Sequence, residues 1–249
     1  TGIPEEDILK IAIKSMGLDD LKPFNPREKV IEYLLEDEQK TAKLIDLTVK
    51  GFADETSRES PAPGGGTISA YMGALGAALG TMVANLSSHK AGWDARWEEF
   101  SIWAGRGQAI QAELMVLVDE DTEAFNRIMA AFGLPKSTDE EKAARTAAIQ
   151  EATLFATEVP LHTMQAAFKV FELCRAMAEE GNPNSVSDAG VGVLAARAAV
   201  LGAGLNVKIN AAGLKDRATA DRLVGQANTL IAQANEAEAE IMKIVEAKL

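Results

Sequence analysis

Residues 61–88 read PAPGGGTISAYMGALGAALGTMVANLSS, and the fold turns on them. The stretch carries no charged side chain, in a chain of 249 residues with 37 Asp and Glu and 25 Lys and Arg. Three glycines after Pro61-Ala62-Pro63 predict a sharp turn, because glycine lets the backbone bend and approach a neighbour closely. The residues after the glycines read as one long helix, whose first N–H groups lie unpaired at its positive end. The sequence thus predicts a corner suited to an anion or a carbonyl at the mouth of a buried helix. A membrane span is the rival reading, since about 20 apolar residues cross a bilayer. Composition argues against it: Ala, Gly, Ser and Thr dominate, Asn85 lies inside, and no basic cluster flanks the run. The expectation is a central helix buried on all sides, with Gly73, Gly76 and Gly80 as points of close helix contact.

Outward from this helix, strand signals nearly vanish and helix signals recur. Short helices are expected over 4–16, ended by Gly17, over 26–35, and over 41–53. Beyond the loop at 87–94, a long helix is predicted for 95–132, ended by Gly133 and Pro135. Ser137-Thr138-Asp139-Glu140-Glu141 offers two overlapping capping boxes for the next start. That helix is expected to end or kink at Pro160, because proline removes a donor from the ladder. Further helices are expected over 161–180, 187–210 and 216–248. The pattern predicts an all-α fold, an up-and-down bundle of long helices. Residues 1–40 read as a lightly packed appendage and residues 41–249 as the helical domain.

Apolar residues make up 47% of the chain but aromatics only 5%, so the core is expected to be built from small side chains on closely spaced helices. A net charge of −12 opposes nonspecific nucleic-acid binding, which needs clustered Lys and Arg. An anionic substrate then needs a local basic pocket. Cys174 stands alone, which precludes an internal disulfide and points to a reducing, cytoplasmic setting. No basic-then-apolar leader opens the sequence, so no signal peptide is expected, and Thr1 in place of an initiator methionine is expected of a fragment or a processed chain.

The run VDEDTEAF at 118–125 gathers four acids, and helical geometry separates them. Leu114, Leu117, Ala124, Phe125 and Ile128 share a face with Asp121, and Ile110 and Trp103 extend that seam. Asp119 and Glu123 share another face that reads as exposed. A carboxylate on an apolar seam is costly unless it is paired or neutral, and burial raises its pKa. Asp121 is therefore a candidate general acid and base; an ion pair or a cap on a neighbouring helix is the structural alternative. On the helix after Ser187, Asp188, Gly192, Ala195, Ala199, Gly202, Asn206 and Asn210 share a face, small in the middle and polar at both ends. Such a face suits a flat heterocycle, or hydrogen bonding between close helices. The glycine turn is not a P-loop, since no Gly-Lys-Ser/Thr succeeds it. His89 and His162 show no metal spacing, and no metal or nucleotide is expected. Lys136 and Arg145, with Lys90, Arg96 and Arg106, are the basic residues near these segments.

PAPGGGTISA, VDEDTEAF, LPKSTDEEKAARTAAIQEA, the VPL at 159–161, GNPNSVSDAGVG and NVKIN together resemble the cyclodeaminase family of folate enzymes, the C-terminal part of formiminotransferase–cyclodeaminase. The likeness covers residues 41–249 in one register. Residues 1–38 look like the end of the formiminotransferase half with its linker. Thr67 stands where the family commonly has serine, and keeps the hydroxyl.

The resemblance implies an all-α homodimer or higher oligomer with its active site near a subunit interface. It also implies conversion of 5-formiminotetrahydrofolate to 5,10-methenyltetrahydrofolate and ammonia, with Asp121 as the catalytic aspartate. A tetrahydrofolate derivative, with or without a polyglutamate tail, is then the substrate, and a formiminotransferase domain is the partner in the longer protein. Pro63, Gly64, Gly65, Gly66 and Thr67 of the turn, with Lys136 and Arg145, are expected at the glutamate tail. Asn206 and Asn210 are expected at the pterin, and Asp188 among the substrate-binding residues. No nucleic-acid or membrane partner is expected. Two rival readings stand beside this one: a methenyltetrahydrofolate cyclohydrolase on the same scaffold, and a noncatalytic helical oligomerisation domain.

Overall fold

The computed structural model describes residues 2, 5–20, 22–31, 33, 43–60 and 62–249. The helices are α1 (Glu5–Ser15), α2 (Pro26–Lys29), α3 (Val49–Thr56), α4 (Gly65–Ser88), α5 (Trp97–Phe132), α6 (Asp139–Glu180), α7 (Val186–Ala211) and α8 (Arg217–Glu246). No strand occurs among the described residues. The expected starts at 4 and 41, and the end at 35, fall outside the described residues. The predicted 41–53 helix is displaced. A 3-10 turn, Leu44–Asp46, comes first, and the Thr48 hydroxyl then caps α3 by accepting the Gly51 N–H at 3.0 Å. At 138 the capping box forms: the Thr138 hydroxyl accepts from the Glu141 N–H and the Glu141 carboxylate accepts from the Thr138 N–H.

Helices α4 to α7 form an antiparallel quartet, with α8 packed on α6 and α7. Short connections join neighbours in sequence, which forces the up-and-down order. α4 lies at the centre and touches α5, α6 and α7. Its glycines permit that crowding. A Cβ on Gly76 would stand 2.8 Å from the Gly192 carbonyl oxygen of α7, and one on Gly80 2.7 Å from Leu173 of α6. Three buried hydroxyls of α4 are satisfied within the helix: Ser69 donates to the Gly65 carbonyl, Thr81 to Ala77 and Ser87 to Val83. Asn85 donates to the Gly2 carbonyl at 2.9 Å, which ties the start of the chain to the bundle.

The expectation of all-round burial for α4 is corrected. Neighbours cover three of its sides, and Leu75, Met82 and Leu86 remain exposed on the fourth. Both α4 and the Pro183–Ala211 segment are long and apolar enough to cross a membrane, and each is half or more buried within the bundle.

Of the two outcomes expected at Pro160, an end or a kink, the end does not occur. α6 runs unbroken for 42 residues through the proline, a length of about 63 Å. Proline leaves the carbonyl four residues earlier, that of Ala156, without its helical donor. Asn210 of α7 supplies the missing donor from outside, its Nδ2 standing 2.6 Å from the Ala156 oxygen. Helix packing thus repairs what the local rule forbids.

Candidate active site

Where the first turn of α4 meets the last third of α5, the Asp121 carboxylate reaches the helix mouth. The Thr67 hydroxyl donates to its Oδ2 at 2.8 Å. The same hydroxyl accepts a long hydrogen bond, 3.4 Å, from the Gly64 N–H. Asp121 thereby caps a helix from another element, at the end where the dipole favours negative charge. Gly66 makes the approach possible: a Cβ there would fall 2.1 Å from Asp121 Oδ1. Burial pushes the Asp121 carboxyl above its ordinary range, against the Thr67 hydroxyl and N–H, which pull it down. The seam around it forms as predicted. Leu114, Leu117 and Ala124 are buried, and Phe125 and Ile128 are half-buried.

A hollow of about 140 Å³ opens beside this carboxylate. The turn at Ala62 and Gly64–Gly66 forms one wall, and Asp121, Ala124, Phe125 and Ile128 of α5 another. Ala156 of α6 and Asn206 and Asn210 of α7 close it. A small, partly apolar slot with one carboxylate and two amides suits a heterocycle rich in N–H groups. Among the described residues no group of three His, Cys, Asp or Glu is gathered for a metal.

Of the residues proposed from sequence, Asp121, Gly64, Gly65, Gly66, Asn206 and Asn210 converge on this hollow. Thr67 acts through its bond to Asp121, and Pro63 is buried beneath the turn. Asp188 does not belong: it lies on the same helix as Asn206 but 18 residues earlier, about 27 Å along the axis. Periodicity gave the face and not the height.

Among the described residues no basic side chain lines the hollow. Arg145 donates instead to the Phe132 carbonyl and closes the end of α5. Lys136 is exposed and outside the lining. Lys90 stacks on Trp93, Arg96 holds Glu99 and Glu180, and Arg106 reaches Glu172. Asp119 is not on an open face: it is half-buried and accepts the Leu44 N–H at 2.8 Å. Burial raises its carboxyl, and the Leu44 N–H opposes the rise. Sequence reading missed Ala156. The signal was present, since a proline at 160 marks the carbonyl at 156 as one in need of a partner.

The comparisons agree with this architecture. Residues 48–229 match the family described as Formiminotransferase-cyclodeaminase, and residues 1–36 match the Formiminotransferase domain. The chain is 41% identical over 202 residues to methenyltetrahydrofolate cyclohydrolase of Methylorubrum extorquens, covering 81% of this chain and 97% of that protein. It is 32% identical over 246 residues to formimidoyltransferase-cyclodeaminase of Rattus norvegicus, covering 99% of this chain and 46% of that one. It therefore spans about half the length of that relative. The crystal structure of formiminotetrahydrofolate cyclodeaminase from Thermotoga maritima shares the fold, with a TM-score of 0.73 at 25% identity, over 82% of this chain and 98% of that one. These relatives are folate-processing enzymes, which supports an enzyme here. With the family match running over most of its length, this chain belongs to the formiminotransferase-cyclodeaminase family.

Proposed function

We propose that this chain is a formimidoyltetrahydrofolate cyclodeaminase, in which Asp121 moves the proton that releases ammonia. One observation carries the reading: a half-buried carboxylate on the wall of a slot, held by Thr67 and raised by burial. In the proposed step, N10 of the folate attacks the carbon of a protonated formimino group on N5. The carboxylate first holds the amidinium through charge-assisted hydrogen bonds. It then takes the proton from N10 and gives it to the amino group. The C–N bond breaks with its electron pair going to ammonia, and the positive charge is left on the methenyl bridge between N5 and N10. Much of the rate comes from holding N10 against the carbon.

The match of residues 1–36 to the Formiminotransferase domain supports such a partner, which would supply the formimino substrate. Polyglutamylated folate and a cytoplasmic setting belong to the same proposal. So does self-association. Ile68, Met72, Leu75, Leu79, Met82 and Leu86 recur every three or four residues along the open side of α4. Leu205 and Ile209, 69% and 72% exposed, continue the apolar face beside Asn206 and Asn210. A second copy laid there would cover that surface and deepen a hollow of about 140 Å³, smaller than the roughly 300 Å³ at which ligand pockets begin.

The test is direct. Incubated with 5-formiminotetrahydrofolate, the chain releases ammonia and 5,10-methenyltetrahydrofolate in equal amounts, and Asp121→Asn stops turnover while folate still binds. An active Asn variant overturns the assignment. The 41% identity to a methenyltetrahydrofolate cyclohydrolase favours a second reading on the same slot. That reading predicts hydrolysis of the methenyl compound with no ammonia formed from the formimino one.

A further inference from the structure

Two amides face the slot, and they are held differently. Asn206 donates its Nδ2 to the Gly202 carbonyl of its own helix at 3.1 Å. Asn210 donates its Nδ2 across to the Ala156 carbonyl of α6 at 2.6 Å. That carbonyl is available only because residue 160 is proline, which has no N–H and whose ring crowds the carbonyl four residues back. A carbonyl only accepts, so the contact fixes which end of the Asn210 amide is nitrogen. The Asn210 oxygen is turned the other way, and among the described residues no donor reaches it. Both Asn210 and Ala156 line the hollow.

We propose that Pro160 is a positioning residue: by leaving the Ala156 carbonyl open, it locks Asn210 with its oxygen toward the slot, as an acceptor for an N–H donor on the folate heterocycle. The proposal rests on reading the hollow as the folate site. It also accounts for a proline in the buried middle of a helix, where it is the least favourable residue. Replacing it should therefore improve the helix and harm the site, the reverse of what a purely structural role predicts.

The experiment uses the full chain with Pro160→Ala, Asn210→Ala, the double variant, and Asp121→Asn as reference. In Pro160→Ala the new N–H claims the Ala156 carbonyl and Asn210 is free to turn. The expected result is a Tm equal to or above the parent's. KM for 5-formiminotetrahydrofolate rises roughly three- to tenfold, the worth of one neutral hydrogen bond, and kcat changes less. Asn210→Ala lowers Tm in the parent and far less in the Pro160→Ala background, because the orphan carbonyl is already satisfied there. A parental KM in Pro160→Ala, with Asp121→Asn inactive, leaves the folate slot standing and overturns the role given to Pro160. An equal loss of Tm in both backgrounds overturns it too. An active Asp121→Asn brings down the slot reading itself, and the proposal with it. If Pro160→Ala does not fold, Asn210→Ala decides alone, and a parental KM there refutes the acceptor.

Discussion

Gly66→Ala tests whether the position of one carboxylate, more than the presence of the slot, sets activity. The added methyl carbon would lie 2.1 Å from Asp121 Oδ1, 2.6 Å from Cγ and 2.8 Å from Oδ2. Ordinary contact for such a pair begins near 3.4 Å, so the carboxylate must retreat by roughly 1.3 Å. That retreat breaks the 2.8 Å bond from the Thr67 hydroxyl. A misplacement of about 1 Å near reacting atoms costs about 100-fold in rate, so kcat should fall about 100-fold. The helix itself gains, because alanine outranks glycine by up to about 1 kcal/mol, so Tm should fall little. Gly105→Ala of α5 is the internal control: it lies outside the slot, and among the described residues its Cβ would meet nothing within 4 Å. The assay is the initial rate of methenyl-folate formation and of ammonia release for both variants, beside a thermal melt. A Gly66→Ala enzyme with kcat within about twofold of the parent would refute the reasoning, as would Gly105→Ala failing equally.

Three other outcomes rest on the same geometry. Burial holds the Asp121 carboxyl above its ordinary value, so the native chain keeps a proton that the unfolded chain releases near pH 3.9. Stability should therefore fall as the pH climbs from that value through the raised native one. Denaturant midpoints of Asp121→Asn should lack this fall, and parallel curves for the two proteins would count against the burial argument. As a base, Asp121 must be ionised, so kcat/KM of the parent should rise with pH through the same raised value. Gly76→Ala drives a methyl to 2.8 Å from the Gly192 carbonyl, backbone that cannot swing aside. It should cost roughly 1–3 kcal/mol by parting α4 from α7, read as a lowered urea midpoint. Thr122 Oγ1 is buried and, among the described residues, has no hydrogen-bond partner; Thr122→Val should raise stability by about 1 kcal/mol and leave turnover unchanged.

Most helix ends of this protein were written locally, and there the sequence alone determined them. Gly133, Gly181 and the Thr138 capping box set helix ends through atoms a few residues apart, so reading along the chain found them. The 3.6-residue period put Asp121 among Leu114, Leu117 and Ala124, because which residues share a face is a property of one helix. Height along the axis and the identity of the neighbour are not. Asp188 and Asn206 share a face yet only Asn206 reaches the slot. Arg145 was a candidate for an anionic tail until packing gave it the Phe132 carbonyl, 13 residues back. Pro160 marks the boundary most clearly. Its local chemistry says that a helix must end or kink, and only the docking of α7, which carries the Asn210 amide to Ala156 across 54 residues of chain, decides what pairs with the carbonyl the proline leaves open.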